Sequence, residues 1–379
     1  MLLLVAPALA LPLLVERFDA TTLAEGWKPS IGAQTGGGKP SAYAVEDGAL
    51  VFRAEAKTRR FTAVSRKLEL RDVSWIRVDA RVKTEGVSAD ASSVAPCGVF
   101  VRFEGGERMQ AGPCTSSPAS GSDWTPSTRY FEVPAGARDV EVGFLLPGAG
   151  TAAYDDLIVE PVSPDWKALG RGSFTYHWLG TDAFREDQLV ANDEAYDRAI
   201  AMLGAAPAPS SPGARIEYHR YGDLETIAQY TGVRTDAHVS GAAIHTIFRN
   251  DVVSIMRVLA HAWGDPPPLL AEGLAVSFAG EWDGRELRQA SRALASAGTA
   301  PKLDTLLDPA AFHGLPPNVA YPVAGAFAQW LVATKGQGSL QALYGQLHAE
   351  APVADNRKAL EAALGMTLAE ADTALRAWW

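Results

Sequence analysis

The chain contains 379 residues, more than one ordinary hydrophobic core accommodates, and its length predicts two domains. Hydrophobic residues make up 47% of the sequence and charged residues 21%, which is typical of globular proteins and excludes extensive disorder. The formal net charge is −10, and Lys and Arg are not clustered in blocks. Because nucleic acids and anionic membranes require a clustered basic surface, neither is expected as a partner.

The first fifteen residues form an uncharged apolar segment that is too short to span a bilayer. With Ala8-Leu9-Ala10 as a small-x-small cleavage site, residues 1–15 resemble the hydrophobic part of a secretory signal peptide, although a basic n-region is missing. Alternatively, residues 11–15 form the first strand of the fold, and both interpretations hold if cleavage follows Ala10. The segment predicts export to the periplasm, the cell surface or the medium.

The chain contains two cysteines, Cys97 and Cys114. Two cysteines so close together in an exported β-domain predict a disulfide. In a reducing compartment they would serve equally well as buried thiols. Neither their spacing nor their neighbours indicate a metal site.

Residues 16–162 have the sequence pattern of an all-β domain. Short β-rich segments alternate with clusters of Gly, Pro, Asp or Ser, which predicts a sandwich or jelly roll. The segments are residues 49–55, 61–70, 75–83, 98–104, 129–133, 140–146 and 157–162. The closing segment, residues 131–160, resembles the last strands of galactose-binding-like and carbohydrate-binding jelly rolls.

This resemblance implies two ligand sites in the β-domain. One is a structural calcium ion held by Asp155 or Asp156, although the simpler role of this pair is to shape the turn before the last strand. The other is a surface on which sugars stack against aromatic rings, for which core packing is the competing role of most candidates. The candidate rings belong to Trp27, Trp75, Trp124 and Tyr130.

After a linker at residues 163–173, strands and helices alternate. Strand, helix, strand, helix and strand are predicted at residues 174–179, 193–203, 215–221, 224–230 and 243–249. Helices follow at residues 252–263, from 269, and at 285–295, 303–307, 321–335, 340–348 and within 356–378. The fold class expected for residues 174–379 is α+β with a helical C-terminal lobe.

The most informative stretch of this domain is residues 253–278. One helix ends at Gly264 before a run of prolines, and the next helix carries Glu-Gly-Leu-Ala from Glu272. An Ile-His-Thr-Ile-Phe strand precedes this stretch, and a Tyr-Pro-Val-Ala-Gly-Ala-Phe helix follows it. The layout resembles the gluzincin metallopeptidases of the peptidase MA-like group, which implies a zincin-like domain with an H-E-x-x-H helix.

The resemblance places residues without zinc chemistry at the catalytic positions. It aligns Val253 and Arg257 with the zinc-binding histidines and Ser254 with the general-base glutamate, whereas Glu272 matches the third zinc ligand. Valine has no side-chain lone pair, arginine is a permanent cation, and serine cannot replace a carboxylate base. The sequence therefore favours a non-catalytic relative that has lost its zinc.

An ion pair between Arg257 and Glu272 is predicted where the zinc ion would lie. A buried carboxylate is costly to desolvate, and a guanidinium group can neutralise it through two parallel donors. No pair of His or Cys residues has the sequence spacing of a metal site, and His177 and His245 are expected to satisfy local hydrogen bonds.

Three functions remain open. The preferred one is an exported, metal-free protein that binds a peptide or protein in the former peptidase cleft, where an edge strand adds an extended peptide through backbone hydrogen bonds. The second is a zinc metallopeptidase with a non-standard site at His261 and Glu272, although capping of a helix end is the simpler role of His261. The third is a carbohydrate-binding surface protein. The expected cleft residues are Ile244, His245, Thr246, Ile247, Phe248, His261, Glu272 and Tyr321.

Overall fold

The structure is a computed structural model that describes residues 11–33, 41–55, 60–87, 98–104, 110–111, 123–146, 149–204 and 215–379. It divides into two compact units. The first unit comprises Met1–Asp165 and Asp223–Thr235, and the second comprises Trp166–Gly222 and Asp236–Trp379. No helix in these described ranges is both long enough and apolar enough to cross a membrane.

Strands dominate the first unit. They are β1 Leu14–Glu16, β2 Lys28–Ala33, β3 Ala42–Glu46, β4 Ala49–Ala54, β5 Arg60–Glu69, β6 Trp75–Glu85, β7 Gly98–Phe103, β8 Gln110–Ala111, β9 Thr125–Glu132, β10 Asp139–Leu145 and β11 Gly150–Val162. Within the described residues they form two antiparallel sheets. Sheet A has the order β3-β4-β11-β6-β9, with β1 also paired to β11, and sheet B has the order β2-β5-β10-β7-β8.

The two sheets enclose one hydrophobic core, which confirms the predicted β-sandwich. Strand β6 shows the cause, because its alternate residues Ile76, Val78, Ala80 and Val82 are buried whereas the residues between them are more exposed. Both sheets contribute to the core, for example Phe52 from sheet A and Phe144 from sheet B. Each of the seven segments predicted from the sequence overlaps a strand.

Helix α2, Leu224–Thr231, belongs to the first unit, although in the sequence it lies between the two segments of the second unit. Its Tyr230 ring stacks on Tyr130 with 4.5 Å between centroids and meets Trp75 edge-on at 5.7 Å. The Arg129 Nε group donates a hydrogen bond to the Gln229 carbonyl oxygen at 3.1 Å. This helix therefore packs against strand β9 of the sandwich.

The second unit opens with a mixed sheet, sheet C. Its strands are β12 Trp166–Arg171, β13 Phe174–Leu179, β14 Ile216–Arg220, β15 Ala237–Ser240 and β16 Ala243–Thr246, and their order is β12-β13-β14-β16-β15. Strands β13, β14 and β16 are parallel, whereas β12 and β15 are antiparallel to their neighbours. Residues 163–173, expected as a linker, thus contribute strand β12.

Helices make up the rest of the second unit, apart from a short hairpin of β17 Glu281–Trp282 and β18 Arg285–Glu286. They are α1 Glu186–Leu203, α3 Val252–Ala260, α4 Pro268–Ala279, α5 Leu287–Ser296, α6 Leu303–Leu307, α7 Pro309–Gly314, α8 Pro317–Lys335, α9 Gln337–Gln346, α10 Val353–Leu364 and α11 Leu368–Trp378. A 3₁₀ turn, His261–Trp263, extends α3. Helix α4 is largely buried, since its residues from Pro268 to Ala271 and from Gly273 to Val276 are all buried.

Candidate functional site

Helices α3 and α4 place Arg257 and Glu272 in direct contact. The Arg257 Nη1 group donates a hydrogen bond to Glu272 Oε1, and the two side chains form an ion pair. The Glu272 side chain retains 12% of its exposure and Arg257 retains 33%. The predicted ion pair is therefore present, and it satisfies a largely buried carboxylate.

The other positions that the gluzincin resemblance singles out do not join this pair in a polar site. Val253 packs against the core of the second unit, and Ser254 is buried with its backbone N–H donated to the Asp251 carboxylate. His261 begins the exposed 3₁₀ turn. Among the described residues, no third acidic, histidine or cysteine ligand completes a metal site with His261 and Glu272.

Asp251 caps helix α3, and its carboxyl group supplies a testable pH effect. It accepts the Ser254 N–H at 2.9 Å, and burial raises its pKa above the ordinary value. Because the pKa of Asp251 is higher in the folded than in the unfolded protein, ionisation of this group lowers the free energy of unfolding. The loss grows as pH rises from the unfolded-state pKa through the folded-state pKa.

We expect Asp251→Asn, which keeps the acceptor without the charge, to be more stable than the native chain at pH 7, with the gain disappearing in acid. Asp251→Ala, which removes the cap as well as the charge, should be about 1 kcal/mol less stable than Asp251→Asn at both pH values. Urea unfolding of both variants at pH 4 and pH 7 measures the two effects. An Asn variant that is less stable than the native chain at pH 7 would contradict this assignment.

Arg257 lies close enough to Tyr321 and His313 to influence them electrostatically. Tyr321 stacks on Trp282 at 5.0 Å and meets Phe312 edge-on at 5.4 Å. Burial raises the pKa of Tyr321, and the nearby Arg257 guanidinium opposes that rise. The same guanidinium adds to burial in lowering the pKa of His313. The positive charge at position 257 thus acts on Tyr321, a predicted cleft residue, and on His313, which the sequence did not single out.

The strand expected to edge the cleft lies inside sheet C instead. Strand β16 ends at Thr246 and is covered by β15, so that the prediction of residues 244–248 as the edge was wrong. Ile244 and Thr246 are fully buried, whereas the Ile247 N–H donates to the Asp236 carbonyl oxygen at 2.9 Å. Phe248 is 45% exposed. The edge position belongs to Ala237–Ser240, which also contacts α3.

Sheet C also carries a row of four histidines that the sequence analysis did not connect. His177, His219 and His245 are neighbours in register on β13, β14 and β16, and His238 faces His245 from β15. Successive rings stack with centroids 4.4, 4.9 and 4.9 Å apart. Burial and the neighbouring histidines lower the pKa of His219 to about 3 and that of His245 to about 4.

Polar partners hold two histidines of this row, His177 at one end and His245 in its interior. The Tyr221 hydroxyl lies 2.9 Å from His245 Nδ1, and Glu217 Oε2 lies 2.5 Å from His177 Nε2. The expected local hydrogen bonds of His177 and His245 are therefore present. In addition, one ligand atom from each of His177, Glu217 and His219 lies within 4.8 Å of the others. This grouping arises from strand pairing and not from sequence spacing, and the expectation that the chain holds no metal stays a prediction.

In the first unit, a groove of about 830 Å³ crosses sheet B. It contains three basic and three acidic side chains, which are Lys28, Lys67, Arg102, Glu104, Asp139 and Glu141. Lys67 Nζ lies 2.7 Å from an Asp139 oxygen, and Arg102 pairs with Glu141. The Ser65 hydroxyl donates to Glu141 at 2.5 Å. Strands β5, β7 and β10 thus align opposite charges along one face of the sheet.

None of the four aromatic side chains proposed for sugar stacking lines this groove. Trp27 is buried and stacks on Phe144 at 5.7 Å, whereas Trp75 and Tyr130 pack against Tyr230. The Arg81 guanidinium lies over the Trp124 ring, with its Cζ atom 5.2 Å from the ring centroid. Core packing, the competing role, accounts for Trp27, and packing of strands against helix α2 accounts for Trp75 and Tyr130.

The remaining predicted sites divide by location. Asp155 and Asp156 both form ion pairs with Arg81, at 2.6 and 2.7 Å, beside a β-bulge in strand β11. Arginine thus satisfies both carboxylates, and a calcium ion there stays a prediction. Cys97, Cys114 and residues 1–10 lie outside the described residues, so that the disulfide and the signal segment also stay predictions. Of residues 11–15, expected as an alternative first strand, Leu14 and Val15 form part of strand β1.

No protein-family model and no curated protein sequence matches the chain. Among solved structures, the chain is similar to the enzymatically active domain of tailspike protein 4 from bacteriophage CBA120, with 11% identity, a TM-score of 0.25 and coverage of 36% of this chain and 20% of that chain. It is also similar to a CBM4 structure, with 18% identity, a TM-score of 0.27 and coverage of 38% and 97%.

A third similar structure is the CBM22-1 xylan-binding domain of Xyn10C from Paenibacillus barcinonensis, with 13% identity, a TM-score of 0.27 and coverage of 42% of this chain and 99% of that chain. Similarity at these TM-scores does not carry a function to the chain. The gluzincin resemblance of the second unit stays a prediction.

Proposed function

We propose that this protein is a non-catalytic carbohydrate-binding protein whose ligand lies in the sheet B groove. The observation that carries the proposal is the groove itself, which is open, lined by hydrogen-bonding side chains and balanced in charge. A neutral sugar chain offers many hydroxyl groups, each able to donate and to accept a hydrogen bond. Alternating cationic donors and anionic acceptors on one sheet face match that chemistry.

The charge balance also argues against other ligands. A groove for a phosphate or a nucleic acid requires an excess of Lys and Arg, whereas here three basic groups face three acidic ones. A strongly apolar ligand would lose more by desolvating these side chains than it gains. The existing ion pairs hold the side chains in place before the ligand arrives, which lowers the entropic cost of binding.

A glycan array probed with the full chain tests this proposal, followed by calorimetry on the glycans that bind. We expect Arg102→Gln and Lys67→Gln each to weaken binding by about 10-fold, because each removes a charged hydrogen bond. Arg53→Gln is the matched control, since Arg53 forms a similar exposed ion pair with Glu46 on sheet A. Absence of glycan binding, or equal loss in the control, would refute the proposal.

A second candidate, peptide binding by the second unit, is favoured by the edge strand β15 beside helix α3. An extended peptide can add to such an edge through backbone hydrogen bonds, which does not require a metal. The Arg257–Glu272 ion pair supports binding without cleavage, because it neutralises the carboxylate that the resemblance assigns to zinc.

Fluorescent peptides from unfolded casein test this second candidate. We expect binding without cleavage in the presence of zinc, and loss of binding when alternate backbone amides of the same peptide are N-methylated. The methylated peptide is the matched control, because its side chains are unchanged. Cleavage that a chelator blocks would instead support the metallopeptidase alternative at His261 and Glu272.

A further inference from the structure

We propose that His177, Glu217 and His219 form a zinc site on sheet C, separate from the position that the gluzincin resemblance assigns to zinc. The three ligand atoms lie within 4.8 Å of one another, and His177 Nε2 is 2.5 Å from Glu217 Oε2. In the described parts of the chain, no other group of three or more His, Cys, Asp and Glu residues brings its ligand atoms this close together.

The register of sheet C brings these ligands together. His177 on β13 lies directly beside His219 on the parallel strand β14. Glu217 is two residues before His219, so that both side chains leave the same face of β14. Tyr218, between these two ligands, and its neighbour Tyr176, which precedes His177 on β13, are fully buried on the opposite face in the core of the second unit. The helical core therefore fixes the strands that carry all three ligands.

The donor set matches zinc chemistry. Two imidazoles and one carboxylate are ligands that zinc takes in tetrahedral sites, with a water molecule as the fourth ligand. Tetrahedral bonds of about 2.0–2.1 Å place ligand atoms about 3.3 Å apart, a spacing that small side-chain rotations achieve from the present arrangement. The Glu217 side chain is 42% exposed and that of His177 is 22% exposed, which leaves access for the ion and for water.

The surrounding side chains position the ligands. The Trp166 ring meets the His177 and His219 rings edge-on, at 6.5 and 5.7 Å. His245 stacks on the other face of His219 at 4.9 Å, and the Tyr221 hydroxyl bonds to His245. These contacts restrain the His219 ring without using the carboxylate of Glu217. We assign His245 and Trp166 a positioning role rather than a ligand role.

Zinc titration of the full chain, produced without a histidine tag and stripped with a chelator, tests the site. We expect one zinc ion per chain, and a cobalt-substituted protein with the visible absorption of tetrahedral Co²⁺. Glu217→Gln and His177→Gln should each weaken zinc binding at least about 10-fold. Glu217→Gln is the decisive variant, because its partly exposed side chain is not needed for the core.

Two histidine variants serve as controls. His238→Gln changes the far end of the same row, and His261→Gln removes the alternative ligand near Glu272; both should bind zinc as the native chain does. Zinc binding that is absent from the native chain, or that survives Glu217→Gln and His177→Gln, overturns the proposal. Loss of zinc in His261→Gln alone also overturns it, since the ion would then lie at the other site.

Discussion

Arg257→Leu should destabilise the second unit by about 3 kcal/mol, because it leaves the carboxylate of Glu272 largely buried without its partner. The leucine side chain fills much of the space, so that the loss reports the unpaired charge rather than a cavity. Urea unfolding, with hydrogen exchange measured on peptides of helices α3 and α4, gives the change in free energy at the site itself.

Two further variants separate charge from shape. Adding Glu272→Gln to Arg257→Leu removes the unpaired charge and should restore most of the lost stability. Arg357→Leu breaks an ion pair with Asp304 in which both side chains are about half exposed, and it should cost less than about 1 kcal/mol. If Arg257→Leu has the same urea midpoint of unfolding as the native chain, the ion pair does not stabilise the second unit in the way proposed.

Helices and strands with strong sequence patterns were predictable, whereas the strands that pair with them in a sheet were not. The alternation in residues 75–83 located strand β6, and apolar spacing together with the stop at Gly264 and the prolines after it located α3 and α4. The four-residue strand β15 was missed, because Ala237–Ser240 is too short for a clear alternation. As a result the edge of sheet C was placed one strand too far inward.

The histidine row shows a different limit. His177 and His219 are 42 positions apart, so that no local spacing rule detects them as ligands. A signal was nevertheless present, since His177, His219 and His245 each follow directly after a residue that is fully buried in the structure. Only the pairing of parallel strands, which single-sequence patterns do not provide, turns that recurrence into one cluster.

The sequence assigned Glu272 its partner Arg257 only through the gluzincin resemblance. It gave no sign of the sheet B groove. Its charged residues lie on strands β2, β5, β7 and β10, except for Glu104, which directly follows β7. Along the strands they occupy the solvent-facing positions that any sandwich fills with polar residues. Their alignment depends on register, as it does for Glu141 between Lys67 and Arg102.

Gly273→Ala should destabilise the second unit by about 2–3 kcal/mol, although alanine is the better helix former. A Cβ atom at position 273 would lie 2.6 Å from the Ala324 carbonyl oxygen in helix α8. That oxygen belongs to the backbone of a buried helix and cannot rotate away, so that α4 and α8 must separate. Because Glu272 precedes this contact, the separation should also disturb its ion pair with Arg257.

Gly338→Ala in helix α9 is the matched control for this substitution, since an added Cβ there has open space around it. Helix propensity then acts alone, and Gly338→Ala should be neutral or stabilising by up to about 1 kcal/mol. Opposite signs for the two variants, measured by urea unfolding and by amide exchange in α4, would demonstrate close backbone packing between α4 and α8. Equal stabilisation by both would show that the helices are farther apart, and would remove the structural basis for fixing Glu272 beside Arg257.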